Sequence, residues 1–88
     1  MIRYMRNSKT ISGRLSDEMV MMDIDKGKYF ALNPVATRIW DLLEQPVTLD
    51  DLCLILSEEY EVEHAQCKSE VEQYILKMEG LGLIISHV

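Results

Sequence analysis

His64 and Cys67 stand three residues apart in a stretch of helical periodicity, a spacing that sets two metal ligands on one helix face. A structural zinc site takes about four ligands, and no third is evident nearby. Cys53 and Cys67 form no C-x-x-C pair. Both fall on apolar helical stripes, where a free thiol packs as a small hydrophobe. His87 lies near the end of the sequence and reads as part of a mobile tail. Glu58, Glu59, Glu61 and Glu63 gather carboxylates that could attract calcium, but the glycine-containing loop of an EF-hand is missing. They read as a solvated face. Gly80-Leu81-Gly82 follows a helical pattern, whereas a phosphate-binding loop precedes one. No serine, cysteine or lysine has an identifiable activating partner. The sequence offers no catalytic residue, no metal site and no cofactor site, so a non-enzymatic role is expected.

The bulk composition narrows the remaining roles. Eighty-eight residues make one domain, 1–88, with room for one modest core. Apolar residues are 48% and charged residues 27% of the chain, ordinary values for a globular protein. The net charge is −6 and the pI about 4.7. That balance repels phosphate backbones and anionic membranes, which leaves peptides, proteins and small molecules as partners. No apolar run is long enough to span a bilayer, and "MIRYMRNSKT" lacks the apolar core of a signal peptide. A cytoplasmic location is expected, with residues 1–8 as a flexible tail.

The elements follow from periodicity. "KTISGRL", 9–15, reads as a first strand and "EMVMMDI", 18–24, as a second. "DKG" is a turn signal, and "KYFAL", 28–32, is a third, aromatic strand. A three-residue loop at 25–27 with Gly27 as a bulge pairs Ile24 with Lys28, Met22 with Phe30 and Val20 with Leu32. That register puts Val20, Met22, Ile24, Phe30 and Leu32 on one buried face. Asn33 is the expected N-cap of a first helix, with Pro34 in its first turn, running to about Glu44. Thr48 caps a second helix with the stripe Leu49, Leu52, Cys53, Leu56 and Tyr60. A third helix spans about 64–79, with Cys67, Val71, Tyr74, Ile75 and Met78 at helical spacing and Gly80 or Gly82 as its stop. "LIIS", 83–86, forms a short final strand. The expected fold is α+β: a three-stranded antiparallel sheet, three helices and a short C-terminal strand, resembling a winged helix-turn-helix.

That pattern raises DNA binding as one role. The third helix, however, carries Lys68 and Lys77 against Glu70, Glu72 and Glu79, so its solvent face repels a duplex. The basic residues Arg3, Arg6, Lys9 and Arg14 gather at the other end of the chain.

"KYFALNPVATRIWDLLEQPVTLDDLCLILSEEY" followed by "SEVEQYILKMEGLGLI" resembles PqqD and the wider group of RiPP recognition elements, over residues 14–85. The shared features are the aromatic strand ending in Leu-Asn, Ile39-Trp40 and Leu42-Leu43, "TLDDL", Val71 with Tyr74-Ile75, and the closing Gly-Leu-Ile. The resemblance implies a peptide chaperone that captures the leader segment of a ribosomally made precursor peptide. It presents that leader to a modifying enzyme. The expected setting is a lasso-peptide pathway with a cysteine protease; the alternative is PqqD-type service to a radical enzyme of quinone-cofactor synthesis. Two other classes stay open: a winged-helix DNA regulator, and a subunit that only stabilises an enzyme.

An apolar third strand short of edge charges invites a leader to add as a further strand. Lys28, Tyr29, Phe30, Ala31 and Leu32 would form that edge. Val71, Tyr74, Ile75 and Met78 would supply apolar contacts from the third helix, and Lys68 would meet an acidic leader residue. Each apolar residue here is also a core candidate. In the expected register Tyr29 and Ala31 turn their backbone groups away from the second strand.

Overall fold

The computed structural model describes residues 1–15 and 18–88. The order is β1 (Arg3–Arg6), β2 (Thr10–Leu15), β3 (Glu18–Asp23), β4 (Lys28–Leu32), α1 (Pro34–Leu42), α2 (Leu49–Tyr60), α3 (His64–Gly80) and β5 (Ile84–His87). Strands β2, β3 and β4 form an antiparallel sheet in that order, and β1 pairs with β5 in a second, two-stranded sheet. The α+β architecture is therefore the expected one, with an extra strand at the N-terminal end.

The helices begin and end where local chemistry dictates. The Asn33 side chain accepts from the Ala36 N–H at 2.8 Å, with Pro34 next in the chain. Thr48 Oγ1 accepts from the Asp51 N–H at 3.1 Å, and acidic Asp50 and Asp51 occupy the positive first turn of α2. Helix α2 stops at Glu61, a non-glycine residue in the left-handed region at φ 53°. The last residue of helix α3 is Gly80, and the glycine whose conformation terminates it is Gly82, beyond the C-cap Leu81. Gly82, at φ 81°, donates to the Glu79 carbonyl, and Leu83 N–H reaches back to Met78 C=O. Met78 and Leu83, the residues that flank this stop, are both buried.

The hairpin register departs from the expected one by a residue. Asp23 faces Lys28, Met22 faces Tyr29, Met21 faces Phe30, Val20 faces Ala31 and Met19 faces Leu32. Met19, Met21 and Asp23 are therefore buried on the core side of β3, and Ile24 is exposed in the loop. Val20 and Met22 lie on the outer face beside Ile11 and Tyr29. The cause is Asp23. Its Oδ1 accepts from the N–H groups of Asp25 (3.0 Å) and Lys26 (3.2 Å), and its carbonyl accepts from Gly27 N–H (2.8 Å). These bonds close a four-residue loop at 24–27, in which Gly27 adopts φ 63°. Gly82 is pressed against this loop: a Cβ there would sit 3.3 Å from Asp23 Oδ2.

Residues 3–6 are not a free tail. Tyr4 exchanges both backbone hydrogen bonds with Val47, and Arg3 through Arg6 pair with His87 through Ile84. The Arg6 guanidinium donates to the Trp40 carbonyl through Nε (3.0 Å) and Nη2 (2.8 Å), near the C-terminus of α1. It also lies 4.7 Å from the centroid of the Trp40 ring.

One core joins the layers. Met21, Ile39, Trp40, Leu43, Leu52, Leu56, Ile75, Leu83 and Ile84 are almost wholly excluded from solvent. Cys53 and Cys67 are buried free thiols, with Cys67 Sγ 3.8 Å from the Cys53 carbonyl oxygen. Burial pushes the Cys53 thiol up to about 11 and raises Cys67 as well. Among the described residues no helix is long and apolar enough to cross a membrane.

Candidate functional site: an open strand edge beside a helix

Strand β4 is the last strand of its sheet, and among the described residues no strand pairs with its outer side. Which backbone groups face outward follows from Thr37. Its hydroxyl accepts from Met19 N–H (3.4 Å) and donates to Leu32 C=O (3.2 Å). Those two groups therefore converge, which makes 19:32 a hydrogen-bonded pair. Alternation assigns 21:30 and 23:28 to the same class and turns the N–H and C=O of Tyr29 and Ala31 away from β3. The one-residue change of register leaves this result intact, because the parity of β4 itself is unchanged.

A cleft of about 320 Å³ runs along this edge. Tyr29, Phe30, Ala31 and Leu32 line one side and Tyr74, Lys77, Met78 and Leu81 of α3 the other, with Asn33 and Ala36 at the end. Asn33 ties the walls together: its Oδ1 caps α1 while its Nδ2 donates to Tyr74 Oη at 3.0 Å. Two further depressions adjoin Tyr74. One is lined by Val35, Glu70, Gln73, Tyr74 and Lys77. The other, about 160 Å³, is lined mainly by apolar side chains including Val35, Leu56, Val62 and Val71.

The structure brings together Tyr29, Phe30, Ala31, Leu32, Tyr74 and Met78 of the expected residues. Val71 lines only the smaller depression, and Ile75 is 1% exposed and lies within the core. Lys28 sits opposite Asp23 at the start of β4, outside the cleft lining. Lys68 is on the other side of α3, 3.8 Å from Asp50 and beside Tyr4 and Thr48. Sequence reasoning missed Asn33, Ala36, Lys77 and Leu81. The signal was present: Glu70, Tyr74, Lys77 and Leu81 follow one helical stripe, while Val71, Ile75 and Met78 follow the adjacent buried one.

The cleft holds phenols, an amide, one amine and apolar side chains, and among the described residues no group of His, Cys, Asp and Glu could hold a metal ion. It can hydrogen-bond an extended backbone and enclose alternate side chains.

The family "Coenzyme PQQ synthesis protein D (PqqD)" matches residues 18–84. The chain belongs to the PqqD family. The match begins at β3 and ends at the start of β5, so it contains every residue of the cleft. Two solved structures share the fold of this PqqD-family chain. TbiB1 in complex with the TbiA(beta) leader peptide superposes with a TM-score of 0.83 at 23% identity, covering 91% of this chain and 93% of that one. A lasso peptide synthetase B1 complexed with the leader peptide gives 0.81 at 21% identity, covering 93% and 96%. No curated protein sequence matches the chain.

Proposed function

We propose that this chain is a non-catalytic peptide chaperone that binds the leader segment of a ribosomally made precursor and presents it to a modifying enzyme. The observation that carries the reading is the open edge of β4, whose outward amides at Tyr29 and Ala31 run beside a cleft walled by α3. Strand addition there would satisfy those amides and give affinity from the main chain, while the cleft would read every second side chain. Membership of the PqqD family supports it, as do the two fold neighbours solved with leader peptides. The second of those neighbours favours a lasso-peptide setting, for which the resemblance implies a cysteine protease as partner. The family's own description favours a second reading, a part in coenzyme PQQ synthesis, for which the resemblance implies a radical enzyme as partner. A precursor gene beside a protease and a cyclase supports the first, and one beside a radical enzyme the second.

The experiment is a proline scan of β4, read by fluorescence polarisation with a labelled peptide copied from the leader of the neighbouring precursor gene. Ala31→Pro removes an outward N–H, which an edge strand tolerates. It should stay folded by circular dichroism and bind roughly 5- to 140-fold more weakly, the equivalent of about 1–3 kcal/mol for an unpaired acceptor. Phe30→Pro removes a bond to β3 and should damage the fold itself. Unchanged affinity in a folded Ala31→Pro protein would refute docking on this edge.

A further inference from the structure

We propose that Lys77 selects an acidic side chain in the bound peptide, so that the recognised strand is apolar at its cleft-facing positions except for one Asp or Glu. The inference rests on strand addition to β4. Lys77 is the one formally charged residue lining the β4–α3 cleft among the described residues. It also lines the adjoining depression with Glu70 and Tyr74, so its side chain stands where the two meet. Of the two lysines of α3, Lys68 has Asp50 as partner, whereas no carboxylate among the described residues lies within 4.0 Å of Lys77.

Peptide binding changes the surroundings of that amine. A strand laid along β4 covers the partly exposed Phe30, Tyr74 and Leu81 and excludes water from the cleft. An apolar peptide residue facing Lys77 would strip the ammonium of water and offer nothing in return. A carboxylate at that position restores a charge-assisted hydrogen bond in a site drier than the open surface. The net charge of −6 sets the opposite limit. A run of acids would be repelled by the chain as a whole, so the geometry favours one acid at one position. Position in the last turn of α3 gives Lys77 a role toward the helix dipole too, but that role predicts no dependence on peptide sequence.

The test uses a phage-displayed library of random 16-residue peptides, selected separately on the wild-type protein, Lys77→Glu and Lys77→Met, with folded Ala31→Pro as the background. The wild-type pool should acquire Asp or Glu at one fixed place within an alternating apolar pattern. The Lys77→Glu pool should acquire Lys or Arg at that place, and the Lys77→Met pool an apolar residue. A synthetic consensus peptide and its Glu→Gln form should then differ roughly tenfold in affinity for the wild type and little for Lys77→Met. Lys77→Met keeps the aliphatic stem, so it gives the reading if Lys77→Glu is unstable. Alternating apolar peptides without charge bias would overturn the role of Lys77 and leave the docking edge standing. No enrichment over the Ala31→Pro background would overturn both.

Discussion

Replacing Met21 and Met22 one at a time by alanine separates the two registers of the β3–β4 hairpin. In the observed register Met21 faces Phe30, is 0% exposed and packs in the core, while Met22 faces Tyr29 on the outer face and keeps part of its surface in water. Truncating a fully buried methionine removes its transfer free energy and leaves a cavity, about 2–5 kcal/mol together. Truncating a side chain on the wet face of a sheet costs roughly 1 kcal/mol or less. In a domain of this size about 1 kcal/mol moves the thermal midpoint by ~4–8 °C. Met21→Ala should therefore lower the midpoint by more than about 10 °C, or leave a chain without a cooperative transition, and Met22→Ala by only a few degrees. Differential scanning calorimetry or circular dichroism melts measure both. Ile24→Ser adds a control in the loop, where a change of about 0.5 kcal/mol or less is expected because Ile24 is 56% exposed. A larger loss for Met22→Ala than for Met21→Ala, or a collapse of Ile24→Ser, would refute the register and the outward assignment argued from it.

Asp23→Ala should cost about 1–3 kcal/mol by freeing two loop N–H groups, and Asp23→Asn, which keeps the accepting oxygen, much less; urea unfolding compares them. The buried thiols should react with a disulfide reagent at pH 8 only as the chain unfolds, since burial holds both above the ordinary thiol range. Alanine at both positions should lower stability and leave peptide affinity unchanged. The bond from Arg38 holds the Glu59 carboxyl below its usual range, so the stabilisation is complete above the unfolded value of about 4.3 and fades as pH falls through the folded value. Arg38→Gln should remove that acid-side slope, by under about 1 kcal/mol because both side chains are more than a third exposed, in melts taken from pH 6 down to 3. Titration of labelled duplex DNA should show no sequence-specific complex, as expected of an acidic α3 face.

The legible parts of the fold were those specified by local chemistry. Asn33-Pro34 and Thr48 announce helix starts through their side chains, and "KYFAL" is bounded by a turn and a cap, so β4 has its expected limits. The face of β3 was not legible, because Met19, Val20, Met21 and Met22 are all apolar and either parity gives a hydrophobic side. A single carboxylate decided between them, through bonds to the backbone that a hydropathy pattern does not contain. β1 was hidden for a different reason. "RYMR" has no apolar alternation, and its partners, Val47 and residues 84–87, are distant in sequence. On α3 the core stripe and the cleft stripe are neighbours, about 100° apart from one residue to the next, and sequence merged them. Lys68 and Lys77 fall on opposite sides of the helix, and only the packing of α3 against β4 says which side is the cleft.

The pairing of β1 with β5 has a consequence for how this chain acquires its shape. Arg3 meets His87, so the two-stranded sheet closes a loop of nearly the whole sequence. Such a contact carries a large loop-closure entropy, and late formation is the expected outcome. During synthesis the β2–β3–β4 hairpins and α1 can assemble while β5 is still unmade. Until β5 emerges, the bridge from Tyr4 to Val47 is the backbone pairing that can hold Arg6 near the Trp40 carbonyl. The expected order of events runs from the docking edge outward to the β1–β5 pair, whose closure completes the anchoring of Arg6 over the C-terminus of α1. A permuted chain, with residues 3 and 87 joined by a short linker and new ends cut in the 24–27 loop, would turn that late, distant contact into an early, local one. Its folding rate, compared with that of the natural order, measures what the closure costs.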